Sequence, residues 1–349
     1  MNRKQKMKIA GQIGLVVLGI IVIYLIVMLI DNRIGIFDSG EDEDESYEEE
    51  ELPIEIDGQE YELAHDMKTY LIMGTDNSGN EEAEDRDSYD GSMADFMLLV
   101  VVDDTDQTYR YIQLNRDTIT KVPLLQKDHT AYASADIQMC VSHAYGGSKE
   151  EGCENTVRTV SMFLHGIPID GYYAMKMEAI PELNHAVGGV TVTIEDDFTE
   201  IDPEMKPGAT LKLSDEQAYT FVHSRIDVGD GQNTSRMRRH RTYMEALAKN
   251  VQEQAAQDKK YVNRIYKELM DYSTTDMGSK SFSNIASKIN SYTDRGLVTP
   301  EGETKVGVSE ALADGLEHTE FYADEDALVK LIRDTYPLTE VDDTEDGEE

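Results

Sequence analysis

One apolar stretch near the N-terminus limits the fold of this chain more than any other feature. Ile9–Ile30, with the sequence IAGQIGLVVLGIIVIYLIVMLI, carries no charged side chain. As a helix, its 22 residues would span about 33 Å, which matches the apolar core of a bilayer. Basic residues precede the stretch, and no small-residue cleavage site follows it. We therefore expect an uncleaved signal anchor, a single transmembrane helix with residues 1–8 in the cytoplasm and the rest of the chain outside.

Acidic residues dominate the rest of the chain. It holds 70 Asp and Glu against 32 Lys and Arg, a formal net charge of −38. This balance argues against nucleic acid as a partner, because nucleic-acid-binding proteins usually present a basic surface. Residues 38–51 contain ten carboxylates and residues 340–349 contain seven. Both runs are expected to be solvated and disordered, a spacer and a tail, with an acidic docking motif as the alternative.

The chain contains two cysteines, Cys140 and Cys153. Outside the cell, an even number of cysteines favours a disulfide, so we predict a bond between them. The alternative is two free thiols in a reducing habitat. The spacing does not match a zinc motif.

Three apolar runs predict neighbouring strands of one sheet: Thr69–Asp76, Phe96–Asp103 and Tyr109–Thr118. Residues 104–108 would form the hairpin turn between the second and third strands. Because these runs are apolar on both faces, we expect the sheet to be covered on both sides by helices.

Helical patterns and further strands alternate through the rest of the chain. A helix is predicted at Glu154–Leu164, and a strand at IDGYYAM. A short helix, a turn at Gly188–Gly189 and another strand are predicted in AIPELNHAVGGVTVTI. The sequence Ser214-Asp-Glu-Gln217 predicts a capping box that opens a helix. A long helix is expected over about Arg236–Asp271, with a break near residue 257, and a last one near Asp324–Asp334.

The predicted fold class is therefore α/β, with a mixed central sheet covered by helices on both faces and preceded by one transmembrane helix. We place the anchor at residues 9–30 and an acidic extracellular spacer at 31–66. A single extracellular domain would cover residues 67–338, and an acidic tail residues 339–349.

Five arginines lie within 17 residues late in the chain: Arg225, Arg236, Arg238, Arg239 and Arg241. If Ser235 caps the long helix, Arg236, Arg239 and His240 share one face of its first turn. Cations at a helix N-terminus oppose the helix dipole, so this placement indicates a bound anion. Guanidinium groups bind phosphate bidentately and suit a pyrophosphate.

Other interpretations of these arginines stay open. Arg238 and Arg241 fit surface residues paired with nearby carboxylates such as Asp227, Asp230 or Glu245. Arg225 ends a predicted helix, where a cation is favourable without any ligand.

Carboxylates follow or precede the predicted strands at one edge of the sheet. Asp76 ends the first strand, and Asp95 stands immediately before the second. Ligand sites form at such strand ends, and two carboxylates beside a diphosphate suit Mg²⁺. The alternative is that either aspartate caps a turn. Arg116 and Asp117 after the third strand would form a buried ion pair or supply a further phosphate ligand.

These elements together resemble the LytR–CpsA–Psr family of cell-wall glycopolymer ligases. The resemblance covers about Thr69–Leu247, and more faintly Glu320–Tyr336. The motifs that carry it occur in the family's order: LIMGTD, ADFMLLVVVD, LNRDT, HAYGG, GIPIDGYYAM, AVGGVTV and SRIDVGDGQNTSRMRRHRTYM.

The resemblance implies a membrane-anchored, extracytoplasmic phosphotransferase. Such an enzyme moves a glycopolymer, a teichoic acid or a capsule polymer, from a polyprenyl-pyrophosphate carrier to a peptidoglycan hydroxyl, forming a phosphodiester. It also implies Mg²⁺ as cofactor, with Mn²⁺ as an alternative. By position, the metal ligands would be Asp76 and Asp95, and Asp95, Arg116 and Arg236 would be catalytic. The pyrophosphate ligands would be Arg116, Arg225, Arg236 and Arg239.

The chain also departs from the family pattern at five positions: Met93, Asn115, His223, Asn233 and His240. An arginine expected at Met93 is missing, and histidine at position 223 would make binding sensitive to pH near neutrality. These changes leave two other functions open. One is a non-catalytic, wall-polymer-binding or regulatory protein on the same fold, and the other is a polyprenyl-pyrophosphate phosphatase.

Overall fold

The computed structural model describes residues 52–76, 92–125, 131–224, 228–229, 233–255, 261, 265, 269–278, 281, 284–285, 288–289, 291–308 and 317–341. The predicted anchor, the N-terminal basic end, residues 31–51 of the spacer and residues 342–349 of the tail lie outside these ranges, as does Arg225. No helix within the described ranges has the length and apolar character that crossing a bilayer requires.

When elements of at least three residues are counted, the described residues form fifteen β-strands and five α-helices. The strands are β1 (Ile54–Ile56), β2 (Gln59–Leu63), β3 (Met67–Thr75), β4 (Ala94–Asp103), β5 (Thr108–Leu114), β6 (Ile119–Leu125), β7 (Ala131–Gln138), β8 (Gly171–Lys176), β9 (Thr191–Thr193), β10 (Thr210–Lys212), β11 (Ser273–Thr275), β12 (Thr293–Val298), β13 (Gly302–Val308), β14 (Glu317–Ala323) and β15 (Leu338–Glu340). The helices are α1 (Lys149–Phe163), α2 (Ala179–Ala186), α3 (Asp215–His223), α4 (Asn233–Ala255) and α5 (Glu325–Thr335), and a 3₁₀ helix covers Met139–Tyr145.

A mixed, six-stranded sheet forms the centre of the molecule, in the order β11-β8-β3-β4-β5-β12. β4 lies antiparallel between β3 and β5, whereas β8 runs parallel to β3 and β12 parallel to β5. The three strands predicted from the apolar runs are thus the three central ones. The predicted turn between β4 and β5 is also confirmed.

Both faces of this sheet are buried because its strands carry apolar side chains at successive positions. On β4, Leu98 and Val100 belong to the core that packs under α2, α3 and α4. Leu99 and Val101 point to the opposite face and join the core with α1 and α5. Side chains alternate across a strand, so one continuous apolar run supplies two cores. The predicted covering of both faces is confirmed.

The helices that the sequence predicted are found in the structure, but they begin or end at other residues. The capping box is present, because the Ser214 hydroxyl accepts from the Gln217 amide at 3.1 Å and the Gln217 side chain accepts from the Ser214 amide at 3.0 Å. Gly188 and Gly189 form the predicted turn, both with positive φ. Helix α4 already begins at Asn233, so Ser235 lies inside its first turn instead of capping it.

The predicted spacer and tail contain ordered strands, so those two boundaries need correction. β1 and β2 lie within residues 31–66, and β2 pairs with both β1 and β15 in a small antiparallel sheet. Ile54 and Ile56 are buried in the core beneath α1 and α5. The sequence QEYEL of β2 is polar and only half-buried, which is why its composition indicated a spacer.

Candidate active site

A β-bulge places Asp95 at the edge of the sheet where β3 ends and β4 begins. Gly74 pairs with Phe96, but Thr75 pairs with Ala94, so Asp95 is an extra residue without a partner in the register. It lies inside β4, one residue after its start, and not before the strand as predicted. Bulges commonly redirect one side chain beside active sites, and here the redirected side chain is a carboxylate.

The Asp95 carboxylate lies between two arginines. Its Oδ1 accepts from Nη1 of Arg116, and its Oδ2 accepts from Nη1 of Arg236 at 2.9 Å. Asp95 is only 5% exposed and Arg236 only 3%. Burial would raise the pKa of Asp95, but the two arginines outweigh it and hold this pKa below its ordinary value. Asp95 is therefore ionised although it is buried.

Arg116 stands in the turn after β5, because that strand ends at Leu114 and not at Thr118 as predicted. Its Nε lies 3.3 Å from Oδ1 of Asp117, so the predicted buried ion pair is present. Its Nη2 lies 3.4 Å from the sulfur of Met93. Met93 therefore packs on the guanidinium at the position where the family pattern has an arginine.

Asp76 follows β3 directly. Because the end of β3 pairs with the start of β4, Asp76 and Asp95 lie at the same end of these two strands. Its amide donates to the Met93 carbonyl at 3.0 Å, and its Oδ1 accepts from the Met93 amide. Burial raises the pKa of Asp76, and the negative charge of Asp95 raises it further, against the effect of the Met93 hydrogen bond. A divalent cation would relieve the repulsion between these two carboxylates, and carboxylate oxygens are ligands for such a cation. The predicted Mg²⁺ would therefore have carboxylate ligands of the type it takes, although each oxygen of Asp95 already accepts from an arginine.

Helix α4 delivers Arg236 to Asp95 and fixes its guanidinium through an asparagine pair. Oδ1 of Asn233 accepts from both Nε and Nη2 of Arg236, at 3.0 and 2.8 Å. Nδ2 of Asn233 in turn donates to Oδ1 of Asn115 at 2.7 Å. Because Asn233 is neutral, the charge of Arg236 is offset only by Asp95 among these contacts.

The structure does not bring Arg239 to this cluster. Its Nη1 donates to Asp196 at 2.7 Å, its Nε donates to the Phe221 carbonyl at 2.9 Å, and its Nη2 donates to the Ser224 carbonyl. Arg239 is 2% exposed and also lies over the ring of Phe198. The predicted shared anion for Arg236 and Arg239 is corrected accordingly: the two side chains diverge, and Arg239 ties the end of α3 to Asp196.

The remaining arginines of the cluster have separate surroundings. Arg238 forms ion pairs with Glu195 and Asp196, so it is paired as predicted but with other carboxylates. Arg241 lies near Glu245, whose charge acts on it. The prediction for Arg225 falls outside the described residues.

The predicted disulfide is wrong, since Cys140 and Cys153 are both free and buried. The Cys140 thiol lies near Arg116, whose charge acts on it, and burial raises the pKa of Cys140 to about 11. The Cys153 sulfur lies 3.6 Å from Nε2 of His143. The two side chains face different partners, which an even count of cysteines could not reveal.

The motif HAYGG supports the site from the neighbouring 3₁₀ helix. Nδ1 of the buried His143 donates to the Ser92 carbonyl at 2.9 Å, and Ser92 immediately precedes Met93. Sequence reasoning missed this role of His143, and it also missed Asp196 as the partner of Arg239. The one sequence signal for Asp196 was the acidic run Glu195–Asp197 after β9.

An apolar cavity of about 50 Å³ adjoins the charged cluster. Phe96, the residue after Asp95, and His240, one turn after Arg236, both line it. Four methionines line it too: Met73, Met175, Met177 and Met244. Nε2 of His240 donates to the Val222 carbonyl at 2.9 Å, while its Nδ1 is buried without a hydrogen-bond partner.

The ionisation of His240 follows from this environment. Burial lowers the pKa of His240 to about 3, and the charge of Arg236 contributes in the same direction. His240 is therefore neutral near pH 7. A neutral imidazole belongs to the cavity wall and does not add a third positive charge to the cluster.

Known proteins resemble this chain in sequence and in fold. A family model described as the LytR_cpsA_psr family matches residues 34–322. Biofilm regulatory protein A of Streptococcus mutans serotype c is 32% identical over 190 residues, 52% of this chain and 43% of that protein. The polyisoprenyl-teichoic acid--peptidoglycan teichoic acid transferase TagU of Bacillus cereus is 25% identical over 179 residues, 51% of each chain. This chain thus spans about half the length of these relatives.

A solved structure supports the fold. The crystal structure of TagV from B. subtilis superimposes with a TM-score of 0.55 at 19% identity, and the match covers 77% of this chain and 96% of that one. At this identity the likeness concerns the fold alone. The family model, however, covers most of the sequence. The chain therefore belongs to the LytR_cpsA_psr family.

Proposed function

We propose that this protein is an extracytoplasmic phosphotransferase that moves a glycopolymer from a polyprenyl-pyrophosphate carrier to a hydroxyl of peptidoglycan. The observation that carries the proposal is the junction of two environments at one sheet edge. A buried arginine, Arg236, and a half-buried one, Arg116, suit an anionic headgroup together with the two carboxylates, and an apolar cavity begins at the next residue of β4. TagU, a relative of this chain, is named as a transferase of teichoic acid from a polyisoprenyl carrier to peptidoglycan.

In the proposed mechanism, Arg116 and Arg236 bind the pyrophosphate. In the structure both guanidinium groups donate to the carboxylate of Asp95. A pyrophosphate has more negatively charged oxygens than a carboxylate, and these oxygens can also accept pairs of hydrogen bonds from guanidinium groups. The arginines would then share their donors between Asp95 and the substrate. The arginines then offset the negative charge that develops on the departing polyprenyl phosphate.

Asp95 would act as the base for the acceptor hydroxyl. The hydroxyl oxygen forms a bond to the phosphorus that carries the glycopolymer, and the bond from that phosphorus to the bridging oxygen breaks. The electron pair of the broken bond leaves with polyprenyl phosphate, and the hydroxyl proton passes to Asp95. The lowered pKa means that Asp95 is ionised before the reaction, and it also makes Asp95 a weaker base than an ordinary aspartate until the arginines transfer hydrogen bonds to the substrate.

Asp76 and Asp95 would hold Mg²⁺, with Mn²⁺ as an alternative. When bound, the cation supplies charge neutralisation for the phosphate oxygens. The raised pKa of Asp76, which burial and the charge of Asp95 cause, would fall once a cation is shared between the two carboxylates.

The apolar cavity would receive the first part of the isoprenoid tail. At about 50 Å³ the cavity is smaller than one isoprene unit, so the lining must move to admit the tail. Methionine side chains are unbranched and adapt easily to such changes. The segment Ile9–Ile30 would anchor the chain in the membrane that holds the carrier.

The proposal predicts that binding of a short polyprenyl pyrophosphate depends on Mg²⁺ and on Arg236. We would measure it by titration calorimetry on the full chain in detergent. Arg236→Ala should weaken binding at least tenfold, about 1.4 kcal/mol. Arg241→Ala, the matched control on the same helix, should bind as the wild type does. Equal affinities for all three proteins would exclude the pyrophosphate from this cluster.

A further inference from the structure

A second cavity lies at the opposite end of the central strands. Asp95 and Asp103 are eight residues apart on β4, which corresponds to about 27 Å along an extended strand. The start of β3, the end of β4 and the start of β5 meet at this far edge, together with β12 and the C-terminal end of α5. This cavity is therefore separate from the candidate active site.

Three arginines line this cavity, which has a volume of about 150 Å³. They are Arg110 on β5, Arg295 on β12 and Arg333 on α5, and we call the cavity they line the distal arginine pocket. Its volume is about that of five water molecules, so it can hold a small oxyanion together with water. Its lining is mainly polar, unlike the apolar cavity beside Asp95.

None of the three arginines forms an ion pair within the described part of the chain. Nη1 of Arg110 donates to two neutral acceptors, the Asp334 carbonyl at 3.3 Å and the Thr335 hydroxyl at 3.0 Å. Nη2 of Arg333 donates to the Tyr61 hydroxyl at 3.0 Å, and its guanidinium lies over the Tyr61 ring. In a chain with 70 carboxylates, three arginines without such a partner at one cavity are unexpected.

The charges of Arg110 and Arg295 act against each other. Burial lowers the pKa of Arg110, and the nearby positive charge of Arg295 lowers it further, although the charge of Asp334 acts in the opposite direction. An anion between the two guanidinium groups would relieve this repulsion. It would also accept hydrogen bonds from guanidinium N–H groups that the neutral acceptors do not use.

The aspartate at the end of β4 does not neutralise these arginines. Oδ1 of Asp103 accepts from the amides of Thr105 and Asp106, at 3.0 and 2.9 Å, and Oδ2 lies 2.9 Å from Nδ1 of His65. Asp103 therefore serves the turn between β4 and β5. Asp106 and Asp334 also line the pocket, and neither forms an ion pair with the three arginines within the described residues.

We propose that the distal arginine pocket binds a phosphate group, either as the free ion or as a monoester. Guanidinium forks match phosphate oxygens in pairs, and their charge persists at every physiological pH. The pocket differs from the proposed pyrophosphate site in position, in residues and in having polar walls. Its function can therefore fail or succeed independently of the transferase.

The test uses inorganic phosphate and glycerol 3-phosphate as probes, with titration calorimetry on the full chain in detergent. Because phosphate also suits the Asp95 cluster, each titration is run in the wild type and in an Arg236→Gln chain. The pocket should bind at least one of the two probes in both backgrounds. Binding of both would identify a monoester site, and binding of phosphate alone a site for the free ion.

Arg295→Ala and Arg333→Gln should each weaken this binding at least about tenfold, because each removes a charge-assisted contact. Both side chains are exposed, so these variants should fold, and thermal unfolding in chloride checks that they do. Lys330→Ala on α5 removes the same charge outside the pocket and should leave the affinity unchanged. Equal affinities in all variants, or no binding at millimolar probe in the Arg236→Gln chain, would overturn the proposal.

Discussion

Asp95 can stay ionised in a buried position because two guanidinium groups surround it. Each of its two oxygens accepts a hydrogen bond from one arginine, so binding of a pyrophosphate to the same arginines requires them to share their hydrogen bonding with the substrate. The asparagine pair limits how far Arg236 can move, since Asn233 accepts from two of its nitrogens. Substrate affinity should therefore depend on residues that do not touch the substrate.

The asparagine pair provides a prediction at this scale. Asn233→Ala should raise the dissociation constant for polyprenyl pyrophosphate several-fold and lower the free energy of unfolding by about 1–3 kcal/mol, because Arg236 loses two hydrogen bonds. Asn115→Ala should act less strongly in the same direction. A double-mutant cycle should give a coupling of at least about 0.5 kcal/mol between the two positions. Additive effects in both measurements would show that the 2.7 Å contact has no energetic role.

His240 provides a prediction about pH. Its pKa is lowered from 6.5 to about 3 in the folded chain, so the unfolded chain binds a proton more readily between these values. The contribution of His240 to stability is therefore complete above about pH 6.5 and declines as the pH falls toward 3. Relative to the wild type, His240→Gln should gain up to about 1.4 kcal/mol per pH unit below 6.5.

Urea unfolding of both proteins at pH 7.5, 6.5 and 5.5 measures this difference. Titration of the many carboxylates is common to both chains and cancels in the comparison. If the two stability curves run parallel over this range, the histidine is not buried in its neutral form.

At the scale of elements, the contact between the 3₁₀ helix and α1 depends on a small residue. A Cβ atom on Gly146 would lie 2.2 Å from the Gly152 amide nitrogen, and its three nearest atoms would all belong to the backbone of α1. Gly146→Ala should therefore separate the two helices and destabilise the fold by about 1–3 kcal/mol. Because His143 holds Ser92 beside the site, pyrophosphate binding should weaken as well.

Gly307→Ala in β13 is the matched control. Its Cβ atom would first meet the flexible side chain of Glu320 at 3.2 Å, so little should change. Thermal unfolding and calorimetry on both variants check the prediction. A Gly146→Ala chain with wild-type stability would show that the motif HAYGG does not need this close approach.

The sequence predicted those elements whose signals are local. Continuous apolar runs identified β3, β4 and β5, and the capping box identified the start of α3. The small strands β1, β2 and β15 were missed. For β1 and β2 a local signal was present, the two-residue turn Asp57-Gly58 with positive φ at both residues. β15 joins them across most of the sequence, where Glu340 pairs with Tyr61. No local pattern records such a contact.

At the scale of the whole molecule, the family resemblance grouped Asp76, Asp95, Arg116 and Arg236. The structure places both arginines on Asp95, and it places Asp76 on the neighbouring Met93. The sequence could not separate Arg239 from Arg236, because the two share a helix turn and differ only in which loop each one meets. Asp196 and the Ser224 carbonyl, which hold Arg239, come from remote parts of the chain. The disulfide prediction was wrong for the same reason. Whether a thiol is bonded depends on which side chains lie beside it in the fold, and the number of cysteines does not reveal that.

Two sites that contain arginines thus lie at opposite ends of the central strands. The site at Asp95 combines arginines with an apolar cavity, whereas the distal arginine pocket has polar walls. The two proposals follow this difference, a lipid-linked pyrophosphate for the first site and a water-soluble phosphate for the second. The two sites can be tested with separate variants.

The most direct test of the account is a transfer assay with the full chain in detergent. A labelled glycopolymer on polyprenyl pyrophosphate would be mixed with peptidoglycan and Mg²⁺, and the label bound to peptidoglycan and the label in solution would both be measured. We predict label attached through a phosphodiester, at least about a hundredfold less with Asp95→Asn, and release of polyprenyl phosphate. Free phosphorylated polymer without attachment would contradict transfer and identify a phosphatase, and binding without any turnover would identify a non-catalytic member of the family.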